Sequence, residues 1–338
     1  MALPTQEDLQ TAVAVAVHAP SLHNTQPWRW AVRHAGLDLY ADRSRMLTVA
    51  DPDGRALHLS CGAALQHATL ALRSEGWESD VVMLPADDDP NFLAAIRVTD
   101  QVKPQSSDSE LVYAVLWRTS ERRTFDDRPL PADVSEQLIR ATESEGAHLH
   151  LIGGGPLADQ VAVVVAHADA EQRADPAYRA ELAAWIRTDP LAPDGIPLRQ
   201  IPRLSGHLPR TSTPTRDLEV AGAGLLDVDV EASEHPTLAV VSSDTDDPYG
   251  WLTAGRGMSR LLLTATVEGV SASPLSQALE VPVARRALRA ALGTVGYPQA
   301  MLRLGYLPPE LPPLTLTPRR AVVDVLVHEE DPVPEEDS

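Results

Sequence analysis

The chain has 338 residues, 43% of them apolar, and a formal net charge of −20. It can bury a large core and is long enough for two domains. The charge disfavours binding to nucleic acid or an anionic membrane, because both need a positive surface. Glu7 and Asp8 near the start, and the lack of an apolar run of ~20 residues, predict a cytoplasmic, soluble protein. Cys61, the only cysteine, excludes an intrachain disulfide and is interpreted as a packed helix residue.

A helix followed by a polar loop opens the chain. Thr5 and Asp8 form the pattern of a capping box, apolar residues follow, and Pro20 ends the helix. Residues 21–26 then crowd side-chain donors and acceptors into a stiff turn, before β-type residues predict a strand at 28–33. A flat heterocycle with donors and acceptors along its edge would pair with this turn. The alternative is an ordinary helix-to-strand turn whose side chains bond their own backbone.

Two later segments predict an internal repeat. Residues 62–76 and 255–269 align without a gap, begin and end with Gly, carry Glu before the final Gly, and share apolar positions at helical spacing. Each follows an Asp-rich turn and precedes an apolar stretch. Chance similarity of two helices is the alternative, and the matching surroundings favour the repeat.

We therefore divide the chain into a first half at 1–100 and a second half at 111–328, joined by a polar linker at 100–109. The first half also has a strand at 37–41 and apolar segments at 81–84 and 93–98. The second half has predicted helices at 131–145, 157–167, 176–187 and 281–292, and strands at 148–152, 238–243, 300–304 and 321–327. This order indicates an α+β fold, in which a sheet with helices on both faces is repeated once. The acidic tail at 329–338 is expected to be disordered.

Several chemistries lack support in the sequence. His148 and His150 would share one face of a strand, but no third ligand is identifiable, so no metal site is expected. There is no GxGxxG after a strand, no Walker loop, no GxSxG and no HExxH. Rossmann-type dehydrogenases, P-loop proteins and hydrolases are therefore disfavoured.

Three segments resemble one protein family. Ala19-Pro-Ser-Leu-His-Asn-Thr-Gln-Pro-Trp28 resembles the Pro-Ser-x-x-Asn-x-Gln-Pro-Trp loop of flavin-dependent nitroreductases, and its full spelling is similar to their Acg-like branch. Arg118-Thr-Ser-Glu-Arg122 matches the same branch, as does Tyr297 to Gly305 leading to Thr317-Pro-Arg-Arg320. The resemblance covers almost the whole chain. It implies a nitroreductase-like three-layer fold whose tandem halves form an internal pseudo-dimer with one FMN site, and it leaves further homodimerisation open.

The resemblance also implies which side chains hold FMN. The first half would supply Ser21, His23, Asn24 and Gln26, and the second half Arg118, Ser120, Arg122, Thr317, Arg319 and Arg320. The arginines and Ser120 suit the phosphate, because charge-assisted bonds neutralise a dianion. Ser21 and Asn24 suit the ring edge. His23 would contact the ring or the substrate, or serve only as a hydrogen-bonding residue of the turn, and no protein acid or base can be named.

The activity that the resemblance implies is a two-electron reduction. Hydride would pass from NAD(P)H through FMN to a nitroaromatic, a quinone or a related small acceptor. Typical family members place a lysine near the reduced ring, whereas Lys103, in the linker, is the only lysine of this chain. An arginine would have to substitute for it.

The proline-rich stretch at 188–217 is the second departure from active family members. It is too long for a passive connection, and its Gly195-Ile-Pro197 is similar to the lid over the flavin in the Acg-like branch. A disordered surface loop is the alternative. The two departures leave open a flavin-sequestering or stress-associated protein that has lost turnover, and also a structural relic without flavin.

Overall fold

The computed structural model describes residues 3–203, 210–211, 218, 224–228, 233–293 and 296–327. The predicted tail at 329–338 lies outside the described residues, as do 204–209 and 212–217 of the proline-rich stretch. No helix in the described ranges combines the length and apolarity that crossing a membrane requires. The same ranges contain no group of three or more His, Cys, Asp or Glu side chains that could hold a metal ion.

Helix α1 (Gln6–Ala16) begins where its cap predicts. Thr5 Oγ1 accepts from the Asp8 N–H at 3.2 Å, and Asp8 Oδ2 accepts from the Thr5 N–H at 2.7 Å. Both donors would otherwise be unpaired at the helix start, so the capping box is confirmed.

The first sheet is antiparallel and has the strand order β1-β2-β4-β3. Its strands are β1 (Trp28–Arg33), β2 (Gly36–Ala41), β3 (Trp77–Met83) and β4 (Phe92–Gln101). Helices α1 and α2 (Arg55–Ser74) pack on the face that carries Trp28, Trp30 and Leu39. On the opposite face, Asp38 pairs with Arg33 and Arg97, each at 2.6 Å. The sheet therefore buries alternate residues on its helical side, as a period of two requires.

The predicted linker at 100–109 is shorter in the structure. Strand β4 continues to Gln101, and helix α3 (Ser106–Val115) begins five residues later. Asp100 and Gln101 pair with strand β3, so their polar side chains lie on a ladder and not in a loop. The polar residues at 106–110 form the first turns of α3, which buries Leu111 further along. Because these residues are polar, the sequence pattern indicated neither the end of β4 nor the start of α3.

The second sheet is antiparallel, with the strand order β11-β12-β10-β5, and is accompanied by the remaining elements. These are α4 (Ala132–Glu143), β5 (His148–Ile152), α5 (Pro156–Ala174), α6 (Pro176–Ala184), β6 (Ile186–Arg187), β7 (Ile196–Pro197), β8 (Arg210–Thr211), β9 (Ser233–Glu234), β10 (Thr237–Ser243), α7 (Pro248–Val267), β11 (Ser271–Pro274), α8 (Gln277–Glu280), α9 (Pro282–Leu292), β12 (Tyr297–Gly305) and α10 (Val322–Val325). Ala239 and Val241 face the core that contains α4 and α7, whereas Leu238 and Val240 face α5 and α9. This sheet therefore carries helices on both faces.

The predicted strand at 321–327 is wrong over most of its length. Val322–Val325 form the short helix α10, in which Val325 is fully buried and Val323 is exposed. Only Leu326 forms a parallel bridge to Trp30, and the Val327 N–H donates to the Trp30 carbonyl at 2.8 Å. A short run of valines fits one buried face of a helix turn as well as a strand, so the apolar pattern could not separate the two.

Helices α2 and α7 cross closely at the glycines that begin the repeated segments. A Cβ added to Gly62 would lie 2.2 Å from the Leu252 carbonyl oxygen, and one added to Gly255 would lie 2.1 Å from the Leu59 oxygen. The contact is reciprocal, because Leu59 and Leu252 each precede their glycine by three residues. Gln66 and Ser259 are also equivalent, since each follows its glycine by four residues. Ser259 Oγ donates to Gln66 Oε1 at 3.1 Å. Such reciprocity is typical of contacts across a two-fold axis.

We expect Gly255→Ala to lower the free energy of unfolding by about 1–3 kcal/mol, because the new methyl group meets backbone that cannot rotate away. In a helix with free space, alanine would instead add about 1 kcal/mol of stability. The urea midpoint at unchanged m-value measures the difference. Gly153→Ala is the control, since its Cβ would meet nothing within 4 Å. Equal midpoints for the two variants would contradict the close crossing.

Candidate functional site

A cavity opens beside the crossing of α2 and α7. Leu59 from α2 and Met258 and Leu262 from α7 give it an apolar wall. Polar side chains enter from the loop after α1, the start of α2, the segment after α3, the segment at 195–200 and the C-terminal segment before α10. They include Ser21, His23, Asn24, Arg55, Arg118, Ser120, Arg122, Gln200, Thr317 and Arg319. The cavity therefore joins residues that lie up to 301 positions apart along the chain, from His18 to Arg319.

The loop after α1 has an unusual backbone. His23, Asn24 and Gln26 have positive φ angles of 51°, 56° and 51°, a backbone region that residues other than glycine rarely adopt. The Gln26 N–H donates to Ser21 Oγ at 2.9 Å, and Gln26 Oε1 accepts from the Arg320 N–H at 2.9 Å. These bonds hold a conformation that costs free energy, which is typical of functional loops.

Two amide side chains connect this loop to the proline-rich stretch. Asn24 Nδ2 donates to the Gly195 carbonyl at 3.2 Å and to the Pro318 carbonyl at 3.3 Å. Gln26 Nε2 donates to the Pro193 carbonyl at 2.8 Å. Asn24 Oδ1 is buried and has no hydrogen-bond donor among the described residues. A ligand N–H would satisfy this acceptor.

Arg118 and Arg319 place two buried guanidinium groups on the cavity wall. Arg319 Nη1 donates to the carbonyls of Thr317 at 3.0 Å and Pro318 at 3.1 Å. Burial lowers the pKa of Arg118 to about 10, and burial together with the charge of Arg118 lowers the pKa of Arg319 to about 9. Within the described part of the chain, no carboxylate pairs with either group, and neither Nε has a partner. Buried charges of this kind require a counter-ion.

Burial and the positive charges of Arg118 and Arg319 also lower the pKa values of two neighbouring histidines. Burial, with a contribution from Arg118, lowers the pKa of His67 to about 3. Burial and the charges of Arg319 and Arg118 also lower the pKa of His18. Both imidazoles are therefore neutral at pH 7, and the two guanidinium groups define the charge of this end of the cavity. A phosphate dianion would neutralise them.

Eight of the ten predicted site residues line the cavity, and Gln26 and Arg320 are not among its lining residues. Those two bond to each other, and Arg320 Nη1 also lies 3.7 Å from Asp42 Oδ2. Their contacts orient the loop. On the wall itself, Arg122 Nη1 donates to the Gln200 carbonyl at 3.2 Å, and Thr317 Oγ1 donates to Gln200 Oε1 at 2.8 Å.

The sequence analysis did not single out two further wall residues, Arg55 and Gln200. Arg55 is the first residue of α2, where the helix dipole disfavours a cation. The predicted helical segment began at residue 62, so no sequence signal marked Arg55. Gln200 lies in an irregular stretch with no pattern that marks it. Lys103 is exposed and is not among the lining residues, so the cations of the described wall are arginines.

Comparisons with known proteins place the chain in a family, although no protein-family model matches it. A Mycobacterium tuberculosis protein provisionally named NAD(P)H nitroreductase Rv3131 is 36% identical over 329 residues, covering 96% of this chain and 92% of that protein. The provisionally named nitroreductase Acg of the same organism is 28% identical over 322 residues, covering 95% and 96%. The crystal structure of a provisionally named nitroreductase from Anabaena variabilis superposes with a TM-score of 0.51 at 10% identity, covering 91% and 90%.

The Anabaena structure shows a common fold, and the two mycobacterial relatives match this chain over almost their whole lengths. The family predicted from the three sequence segments is thereby confirmed. This chain belongs to the nitroreductase family.

Proposed function

We propose that the chain binds one FMN in the cavity and reduces a small nitroaromatic or quinone-like acceptor, with NAD(P)H as the hydride donor. The name of the mycobacterial relative specifies an NAD(P)H nitroreductase. When bound, FMN would supply the hydride chemistry, and the protein would position the cofactor and control access to it.

The observation that carries this proposal is the buried pair Arg118 and Arg319, which no described carboxylate neutralises. The FMN phosphate has the charge that the pair requires. Asn24 Oδ1 is a free acceptor for an N–H of the flavin ring edge, and the wall formed by Leu59 and Met258 suits the apolar face of the ring. The residues present therefore fit each part of the cofactor.

The site is a composite of two tandem halves, at 1–100 and 111–328, which form an internal pseudo-dimer. The loop at 21–26 belongs to the first half, and Arg118 and Arg319 belong to the second. The reciprocal crossing of α2 and α7 supports this assignment, because Gly62 of α2 contacts α7 and the equivalent Gly255 of α7 contacts α2. A single set of these residues implies one FMN per chain.

Removing Arg118 or Arg319 tests the phosphate assignment. Arg118→Gln and Arg319→Gln should each weaken FMN binding about 10- to 150-fold, the equivalent of ~1.5–3 kcal/mol for a charge-assisted bond. Riboflavin lacks the phosphate, so its affinity should change far less. Fluorescence titration of the apoprotein measures both ligands. Arg140→Gln, on the exposed face of α4, controls for net charge. Equal losses for FMN and riboflavin would show that the arginines act through folding.

We propose that the proline-rich stretch acts as a lid, and an ion-pair cluster holds its described part at 188–203. Asp194 pairs with Arg45, and its Oδ1 lies 2.9 Å from Arg187 Nη2. Both guanidinium groups lie over the Trp185 ring, at 5.5 and 5.4 Å from its centroid. Partial burial alone would raise the pKa of Asp194, but hydrogen bonds from the two arginines lower it below its ordinary value. Asp194 is therefore ionised at neutral pH, and the cluster persists there.

The proposed lid favours a second function, in which the protein stores FMN without turnover. The lid segment at 193–195 contacts the loop that carries Asn24 and Gln26, which would restrict the approach of NAD(P)H and of a bulky acceptor.

Opening the lid separates the two functions. NADPH oxidation with menadione should be slow in the intact protein. Asp194→Ala should accelerate it about fivefold if the partly exposed cluster contributes ~1 kcal/mol to closure. Asp189→Ala, in the same stretch but outside the cluster, should leave the rate unchanged. Dithionite should bleach the flavin in all three proteins. Equally slow turnover in all three would favour storage, and fast turnover in the intact protein would contradict the lid.

A further inference from the structure

Arg55 carries a positive charge at a position where that charge does not stabilise its helix. It is the first residue of α2, directly after Gly54, and a positive charge there opposes the helix dipole. Only 8% of its surface is exposed, and it lines the cavity. Nη1 donates to the Gln299 carbonyl at 2.6 Å and Nη2 to the Leu279 carbonyl at 3.1 Å. These bonds fix the guanidinium plane without neutralising its charge.

The three carboxylates in the electrostatic surroundings of Arg55 are engaged elsewhere. They belong to Asp51, Asp246 and Glu280. Their partners are the Ala56 and Leu57 N–H groups for Asp51, Arg285 for Asp246, and Gln172 for Glu280. Glu280 lines the same cavity, but no described carboxylate forms a direct ion pair with Arg55, so its guanidinium can bind an anion there.

This cation is separate from the pair proposed for the FMN phosphate. The charged groups that act on Arg55 are Asp51, Asp246, Glu280 and Arg285. Arg319 responds instead to Arg118, and the two together act on His18. Arg55 donates to the carbonyls of Leu279 and Gln299, whereas Arg319 donates to those of His18, Thr317 and Pro318, so different segments of the cavity wall hold the two cations. FMN has a single phosphate, which leaves Arg55 for another anion.

We propose that Arg55 binds the anionic substituent of the electron acceptor, so that the cavity selects aromatic carboxylates over neutral aromatics of the same shape. This inference rests on the proposed function, since the acceptor would occupy the cavity together with FMN. Leu279, whose carbonyl accepts a hydrogen bond from Arg55, and Met301 also line the cavity and supply apolar contacts for the aromatic ring of the acceptor. The planar fork of the guanidinium suits a carboxylate held by two parallel bonds. The overall charge of −20 repels anions at long range, so selection requires a local cation of this kind.

A matched pair of ligands tests the selectivity. 4-Nitrobenzoate and 4-nitrobenzamide have nearly the same shape and differ in charge. Calorimetric titration of the FMN-loaded protein should show about 10- to 100-fold tighter binding of the carboxylate, the range expected for a charge-assisted bond. Arg55→Gln should remove this preference, and Arg55→Lys should restore part of it, because lysine keeps the charge but not the fork. Arg140→Gln is the control for net charge, and all variants should retain FMN.

Each alternative role of Arg55 has its own result. Unchanged preference in Arg55→Gln would overturn the proposal. A selective loss of FMN over riboflavin would assign Arg55 to the phosphate and overturn it too. A shift of the flavin midpoint potential with the preference intact would assign the charge to the reduced ring, again against the proposal. If the wild-type chain binds no FMN, the proposed function fails, and calorimetry without flavin then decides whether the carboxylate preference stands on its own.

Discussion

The close crossing of α2 and α7 sets the geometry on which the cavity depends. Gly62 and Gly255 let the two backbones approach to a distance that any side chain would prevent. The same helices then present Leu59, Met258 and Leu262 to the cavity, so its apolar wall is a direct product of the crossing. Loops from both parts of the chain converge on that wall. A helix contact built for packing thus also determines how far apart the groups that hold a ligand lie.

The distribution of charge makes the cavity costly in the absence of a ligand. Arg118 and Arg319 repel each other, and Arg55 adds a third buried guanidinium. The loop at 21–26 stores further strain in three positive φ angles. A ligand that neutralises the cations binds only the folded chain, and it therefore stabilises the fold by mass action. Stability and function are coupled through these few residues, whereas the two sheets rest on ordinary burial of alternate apolar side chains.

The sequence predicted most elements because their signals are local. The cap at Thr5 and the alternation in β1 and β5 each reside in a few neighbouring residues. It failed for the strand expected at 321–327, because a short run of valines fits a helix turn and a strand equally well. Motif residues from 21 to 319 do meet at one cavity. Arg55 was missed because its significance depends on which carboxylates are already engaged, and only tertiary structure shows that.

The central claim is that two halves of one chain build a single composite site from complementary pieces. The ratio of released FMN to protein, after reconstitution with excess FMN and removal of the unbound cofactor, tests it most directly. The account predicts one FMN per chain, because the loop at 21–26 occurs once and lines one cavity together with Arg118 and Arg319. A ratio of two would show that both halves carry complete sites, and a ratio of zero would show that the cavity does not hold FMN. Either result would contradict the account.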